Sequence, residues 1–496
     1  MYKIRTIRYS PNSVSVQVYQ IINRKRVIIR HIGTARNEQE KSNLITVAED
    51  FISKASKQLG LFENNQSGNV LLLNQTEFIG VYYNFFHELI SKLFIQIGLD
   101  KVKNNLLLDL VIMRIMEPAS KLRSIELIEQ YFGIKHRRQS YYESAVQWLS
   151  LKSRVESIAL KFAKKHYEFT YDILFYDVTT LYFETFEEDE LRRNGFSKDN
   201  KSQQPQIVVA LMVTKEGFPI AYEVFSGNTF EGHTIIPVVK KFIKANNVKN
   251  FTIVADAAMI SSENITQLNE NNINYIVGAR LGNLSHQVFE EIDSKITRED
   301  GKNIRVKTDK GYLICSYSSL RYRKDKHEME KQIAKAHYAI ENPSKSRKIK
   351  FTSSSGQKME LNEKLINKTK KLLGLKGYYT NLDEQILDNQ MVIARYHELY
   401  KIEQAFRISK NDLQTRPIYH FKEEPIKLHM LMCFMALVTS KHIELQTNLS
   451  IKKFIQEAKK ITDARIINKV TKNEIRMRVS LNDRITEIIR KLNLLT

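Results

Sequence analysis

An aspartate interrupts one of the most strongly strand-like stretches of this chain. Residues 173–183 are apolar, β-branched or aromatic except for Asp177, and such a run predicts a strand with a buried interior. An ionised carboxylate in that position costs several kcal/mol unless a cation meets it. A second short run, residues 251–255, leads into Asp256, and a third acid, Glu403, lies in a stretch that predicts one helix over residues 396–410. Acids placed in this way indicate a divalent-metal site.

The charge of the chain favours polyanionic partners. It has 77 Lys and Arg against 55 Asp and Glu, which gives a net charge of +22, and each contact with a phosphate releases counterions and strengthens binding. A basic protein without a specific nucleic-acid role is the less favoured alternative. The two cysteines, Cys315 and Cys433, are too few for a Cys-based zinc module or a disulfide framework, which is typical of a reducing cytoplasm.

Nothing in the sequence indicates a membrane partner. No hydrophobic signal stretch follows Met1. The most apolar segment, residues 430–438, is too short to cross a bilayer. It predicts a buried helix.

The N-terminal third of the chain predicts two segments. Residues 1–75 have alternating apolar positions around a polar turn, followed by a helical pattern from about residue 39 to residue 61, which together predict a β-hairpin and a helix. Residues 76–168 have helical spacing and several basic positions. We interpret this second segment as a DNA-binding domain, although a purely structural helical domain explains the pattern about as well.

The rest of the chain predicts an α/β core with an interruption. Within residues 169–281 the elements follow the order β, β, β, α, β, α, β, which is that of the ribonuclease H-like fold. We expect this catalytic core to be completed by residues 386–445, with residues 282–385 as an insertion domain rich in β-structure and basic residues. Residues 446–496 predict a basic, helical C-terminal region.

Three acids are the candidate catalytic residues and metal ligands. Cleaving or joining a phosphodiester requires an activated water or 3′-hydroxyl, and two Mg²⁺ ions about 3.5–4 Å apart provide that activation. Mg²⁺ prefers oxygen ligands, so we predict Asp177, Asp256 and Glu403 as the ligands, with Mn²⁺ as a substitute ion. Each acid alone also has an ordinary structural explanation, as a turn residue or a helix surface residue. Their order within the α/β pattern favours the metal site.

The predicted helix around Glu403 supplies further candidates. On a single α-helix, Tyr396, Glu403, Arg407 and Lys410 fall within an arc of about 60°. Arg407 and Lys410 are then predicted to bind phosphates and Tyr396 to stack on a base. The alternative is a routine ion pair between Glu403 and Arg407, one helical turn apart.

At these residues the chain resembles the DDE transposases of bacterial insertion sequences, in the group with a Tyr-x2-Arg-x3-Glu-x6-Lys signature. The signature positions here are Tyr396, Leu399, Glu403 and Lys410, so a leucine replaces the arginine. After Asp256 the group often has Arg-Gly-Met, where this chain has Ala-Ala-Met. The resemblance covers roughly residues 170–280 and 375–440, and its further blocks are residues 176–180, 195–198, 205–207, 226–229, 254–256 and 413–420.

The resemblance implies a function and a set of partners. A transposase of this group binds the terminal inverted repeats of its element as double-stranded DNA, hydrolyses strands at the ends and joins the freed 3′-hydroxyl to target DNA. It implies a homodimer on DNA, because two ends are processed together, in the bacterial cytoplasm and associated with the nucleoid. It also implies a DNA contact at Asn228. The alternatives are a stand-alone metal-dependent nuclease and an impaired, transposase-derived DNA-binding protein, which the Ala257-Ala258 departure favours.

Overall fold

Two compact units make up the chain. Of the 496 residues, the computed structural model describes 2–11, 13–22, 24–56, 76–196, 201, 203–248, 251–259, 261–342, 349–355, 358–469 and 472–494. The first unit combines Met1–His87, Gln130–Gly133 and Glu457–Ile485, and the second combines Glu88–Glu129, Ile134–Gln456 and Thr486–Thr496.

The described residues form strands and α-helices with the following bounds. The strands are β1 (Tyr2–Ser10), β2 (Ser13–Ile22), β3 (Lys25–Ala35), β4 (Thr76–Tyr82), β5 (Ile173–Tyr182), β6 (Gln206–Thr214), β7 (Pro219–Ser226), β8 (Thr252–Ala255), β9 (Asn274–Ala279), β10 (Asn303–Thr308), β11 (Gly311–Tyr317), β12 (Thr352–Ser355), β13 (Lys358–Leu361), β14 (Leu375–Thr380), β15 (Asp463–Asn468) and β16 (Glu474–Arg478). The helices are α1 (Glu38–Ser56), α2 (Asn84–Ile97), α3 (Asn105–Met116), α4 (Lys121–Phe132), α5 (Arg138–Leu149), α6 (Lys152–His166), α7 (Ile235–Asn246), α8 (Ser262–Glu270), α9 (His286–Lys295), α10 (Ser319–Glu341), α11 (Glu363–Leu372), α12 (Asn389–His397), α13 (Tyr400–Arg407), α14 (Glu423–Thr447), α15 (Ile451–Ala458) and α16 (Asp483–Lys491).

The first unit contains two small antiparallel sheets. The first sheet has the order β1-β2-β3 and packs against α1, so the predicted hairpin and helix are confirmed. The end of the predicted helix, residues 57–61, lies outside the described residues. The hydrophobic core between this sheet and α1 is formed by Val16, Val18, Ile32, Ala35, Leu44, Val47 and Ala48.

The second sheet of this unit corrects the prediction at two places. Its order is β16-β15-β4, so residues 76–82 and parts of the C-terminal region are strands where helical spacing was expected. The buried carboxylate of Asp463 accepts two hydrogen bonds from the Arg478 guanidinium at 2.7 and 2.8 Å. These strands are stabilised by pairing between segments far apart in the chain, which a local periodicity does not reveal.

A large mixed sheet organises the second unit, which is of the α/β class. Its strand order is β10-β11-β14-β9-β8-β5-β6-β7, with β5, β8 and β9 mutually parallel and their other neighbours antiparallel. The strands expected within residues 169–281 are confirmed, including the hairpin of β6 and β7. Strand β8 ends at Ala255, which pairs with Tyr176 in the middle of β5, whereas β5 continues to Tyr182.

Residues 282–385 are continuous with that sheet. Strands β10, β11 and β14 extend it, because β14 pairs with β9, so the segment predicted as an insertion is joined to the core by backbone hydrogen bonds. The remaining part of the segment has its own small core, formed by Met329, Ala336, Phe351, Ile366 and Leu373. The positions of the five predicted domain boundaries stay a prediction.

Helix α14 is the central helix of the second unit. Among the described helices it is the one with the length and apolarity of a membrane span, and 94% of its most apolar window is buried inside the protein. It packs against α3, α5, α6 and β7. The prediction of a buried helix over residues 430–438 is confirmed.

A buried histidine on α14 predicts a pH-dependent stability. The Tyr167 hydroxyl lies 2.8 Å from Nδ1 of His442, and Nε2 of His442 lies 3.3 Å from Oε1 of Gln96, as expected for a neutral imidazole that accepts from the phenol and donates to the amide. Burial, followed by the neighbouring His166, lowers the pKa of His442 to about 3. An unfolded histidine has a pKa of about 6.5, so the unfolded chain binds a proton over a range where the folded chain does not.

We therefore expect stability to fall as the pH falls from about 6.5 to about 3, with the full contribution of His442 present above that range. A His442→Gln variant should show a shallower loss of thermal midpoint over this range than the unchanged protein. The exposed His286 provides a matched control, and His286→Gln should leave the pH dependence unchanged. Equal slopes for the unchanged protein and His442→Gln would contradict the assignment.

Candidate active site

Two of the predicted acids lie side by side on neighbouring interior strands of the large sheet. Strands β5 and β8 are parallel and pair Tyr176 with Ala255. Asp177 and Asp256 are the residues that directly follow this pair in the two segments. Adjacent strands are about 4.8 Å apart, which makes the two aspartates neighbours although they are far apart in sequence. The Tyr176 hydroxyl donates to Oγ1 of Thr234 at 2.7 Å, and Asp177 points to the opposite face because side chains alternate along a strand.

The surroundings of the two aspartates differ. Asp177 is half-buried, and its Oδ1 accepts from the backbone N–H of Val178 at 2.8 Å. Asp256 is exposed, and its Oδ1 accepts from the backbone N–H of Ala257 at 2.7 Å and from the Tyr396 hydroxyl at 3.0 Å. Asp177 therefore lies within β5 and Asp256 directly after β8, and of the two it is Asp256 that is open to a substrate.

The third acid is carried by a helix that the sequence predicted incorrectly. One continuous helix over residues 396–410 was expected, but α12 ends at His397 and α13 begins at Tyr400. A π-helical turn, Ile408–Asp412, then follows α13. Tyr396 and Ile402 are both buried, although in one helix they would point about 120° apart. The predicted arc of Tyr396, Glu403, Arg407 and Lys410 assumed a continuous helix, which the structure does not have, but Glu403 and Arg407 remain one turn apart on α13.

Glu403 lies on α13, which packs against β5 and β6, and it is exposed. Among the residues that the structure describes, no three His, Cys, Asp or Glu side chains lie close enough together to hold a metal ion. The two aspartates offer the oxygen ligands that Mg²⁺ prefers, but a three-carboxylate site does not fit the arrangement as it stands. The roles of the three acids as ligands stay a prediction.

Tyr396 closes over one of the acids. Its ring covers Gly278, where a Cβ atom would lie 2.5 Å from the tyrosine hydroxyl oxygen, and the hydroxyl reaches Asp256. Burial, and then the charge of Asp256, raises the pKa of Tyr396. The predicted base-stacking residue is therefore buried against the sheet and hydrogen-bonded to an acid in this structure.

A lysine that the sequence analysis missed lies beside this tyrosine. Lys376 of β14 is half-buried, and its Nζ atom is 4.7 Å from the centroid of the Tyr396 ring and 5.6 Å from that of Tyr378. Burial, followed by the charge of Arg321, lowers the pKa of Lys376, and the carboxylates of Asp256 and Glu403 oppose this shift. The signal was available, because a lysine inside the buried run 375–380 is as unusual as Asp177 in its own strand.

The other predicted DNA contacts are carried by other elements than Asp256. Arg407 is exposed at the end of α13, and Lys410 is half-buried in the π-helical turn. Asn228 is exposed in the turn after β7, and its side-chain oxygen accepts from the Ser226 hydroxyl at 2.9 Å. Their roles as DNA contacts stay predictions.

The chain matches a protein family and is similar to a solved structure. A family described as the transposase DDE domain matches residues 168–439, which is more than half of the sequence and spans all three acids. Among solved structures, the chain is similar to a piggyBac transposase synaptic complex with hairpin DNA, with a TM-score of 0.36 and 13% identity over 84% of this chain and 75% of that chain. No curated protein sequence matches the chain.

Proposed function

This chain belongs to the transposase DDE-domain family, and we propose that it acts on the ends of a bacterial insertion sequence. In this proposal it binds the terminal inverted repeats, cleaves DNA strands at those ends and joins the freed 3′-hydroxyl to target DNA. It works as a dimer on DNA, because two ends are processed together.

The observation that carries the proposal is the parallel register of β5 and β8, which makes Asp177 and Asp256 neighbours. Two acidic side chains on neighbouring parallel strands, in a chain of net charge +22, suit a reaction on a phosphodiester. The strand order β7-β6-β5-β8-β9, in which β5, β8 and β9 are parallel, supports a ribonuclease H-like core for this part of the sheet.

A requirement for a divalent cation, Mg²⁺ or Mn²⁺, is part of the proposal. The described residues do not hold three acids together, so Glu403 has to approach the two aspartates when DNA is bound. Glu403 is exposed on the short helix α13, between a helix break and a π-helical turn, and its side chain is the third carboxylate of the proposed site.

The proposal is tested with labelled duplexes that carry the inverted repeats flanking the coding sequence. We expect end cleavage that requires Mg²⁺ and is lost on addition of EDTA, followed by joining of the cleaved strand to a supercoiled plasmid. The products are separated on denaturing and agarose gels. A duplex with scrambled ends is the control and should be neither cut nor joined.

The rival functions give different results in the same assay. Cleavage without any joined product would indicate a nuclease and contradict the transposase. Tight, end-specific binding without any metal-dependent nicking would indicate a DNA-binding protein without catalysis.

A further inference from the structure

We propose that Lys376, together with Arg321, binds a backbone phosphate of the DNA strand that lies against Asp256. This inference rests on the transposase function proposed above, and it names two DNA contacts outside the helical signature region.

The two cations share a cavity with the acid. A cavity of about 680 Å³ is lined by Asp256, Tyr396, Lys376 and Arg321, among others. Lys376 is anchored over the Tyr396 ring at 4.7 Å, and the hydroxyl of that ring lies 3.0 Å from Asp256. A strand whose phosphate contacts Lys376 is thereby held beside this carboxylate.

The charge distribution in the cavity favours an anion at this point. Burial, and then the positive charge of Arg321, lowers the pKa of Lys376, whereas Asp256 and Glu403 raise it. Asp325 compensates the arginine in part, with its Oδ2 at 3.3 Å from Nε of Arg321, and Glu328 also lines the wall. A phosphate between the two cations would relieve their repulsion and accept charge-assisted hydrogen bonds from both.

The basic residues closest in sequence to Leu399, which replaces the signature arginine, already have other hydrogen-bond or ion-pair partners. Leu399 itself is buried. Nη1 of Arg395 lies 3.3 Å from Oε2 of Glu398, and Nζ of Lys401 lies 3.3 Å from Oε1 of the same acid. Lys401 also donates to the backbone carbonyl of Lys215 at 2.7 Å. Lys376 is therefore better placed than Arg395 or Lys401 to provide a phosphate contact beside Asp256.

The salt dependence of DNA binding tests this role. Binding of the labelled end duplex is followed by fluorescence anisotropy over a series of salt concentrations. Each phosphate contact contributes about 0.9 to the slope of log K against log salt concentration, so Lys376→Gln should flatten the slope by about that amount. Lys376→Arg should retain the slope of the unchanged protein. The exposed Lys244 is the matched control, and Lys244→Gln should leave the slope unchanged.

A neutral phosphate analogue locates the contact. A single methylphosphonate replacement at the contacted phosphate should weaken binding by the unchanged protein, and it should weaken binding by Lys376→Gln less, because only Arg321 still contacts that phosphate. Two measurements separate this role from mere support of the tyrosine ring. They are the thermal midpoint of Lys376→Gln and the slope of log K against log salt concentration for Tyr396→Phe. A slope for Lys376→Gln equal to that of the unchanged protein, or an equal change in Lys244→Gln, overturns the inference.

The two proposals fail in different ways. Failure of the unchanged protein to cleave and join the end duplexes in the presence of Mg²⁺ would overturn the proposed function, whatever the salt slope of the lysine variants. An unchanged salt slope in Lys376→Gln, with cleavage still dependent on Asp256, would overturn only the assignment of Lys376.

Discussion

Replacing Asp177 or Asp256 with asparagine should lower the rate of end cleavage by on the order of 10³-fold or more. Asparagine keeps the size of the side chain and removes the negative charge on which the proposed phosphodiester reaction depends. Glu403→Gln should have an effect of the same order if the glutamate joins the aspartates on DNA. Cleavage is measured in single-turnover assays with Mg²⁺, and binding of the end duplex is measured alongside it.

Binding and folding serve as internal controls for these variants. The amide oxygen of Asp256→Asn can still accept from Ala257 and Tyr396, so the thermal midpoint and the DNA affinity should stay close to those of the unchanged protein. Asp309, exposed in the turn between β10 and β11, lies at the opposite end of the sheet. Asp309→Asn should cleave normally. Substantial Mg²⁺-dependent cleavage by an aspartate or glutamate variant would remove that residue from the site.

Gly227→Ala should destabilise the second unit by about 2 kcal/mol or more. A Cβ atom at this position would lie 2.0 Å from the carbonyl oxygen of Gln206 and 2.3 Å from that of Arg193, so the backbone would have to separate. Gln206 also donates from its side-chain amide to the carbonyl oxygens of Phe196 and Gly227, both at 3.0 Å. These contacts join the loop after β7 to the segment before β6.

The loss is measured as a fall in thermal midpoint relative to a matched glycine variant. Gly282 is exposed, and a Cβ atom there would have no neighbour within 4 Å. Gly282→Ala should therefore leave the thermal midpoint unchanged. A midpoint for Gly227→Ala equal to that of Gly282→Ala would mean that the close backbone packing in this loop is not required for stability.

Sequence reasoning was most successful where a local pattern carries the structure. The run around Asp177, the hairpin of β6 and β7 and the buried helix α14 are each visible in a short window of apolar residues. It was wrong at β4, β15 and β16, whose pairing joins segments far apart in the chain. Long-range strand pairing has no signature in the periodicity of either segment.

The candidate site divides in the same way. Asp177 and Asp256 were identifiable because a charge next to a buried strand needs a reason. The same argument applies to Lys376, whose charge also lies within a buried run of residues. Helical spacing did not predict the helix break between His397 and Tyr400, on either side of which Tyr396 and Ile402 are both buried.

The sequence by itself determined which residues carry charge into buried strands, and with its motifs it indicated the family. Only the tertiary structure decided which of those charges meet. The parallel register of β5 and β8 makes Asp177 and Asp256 neighbours, and the pairing of β14 with β9 brings Lys376 to Tyr396. The proximity of these residues depends on backbone hydrogen bonds between segments far apart in the chain. The spacing of residues along the sequence does not encode those bonds.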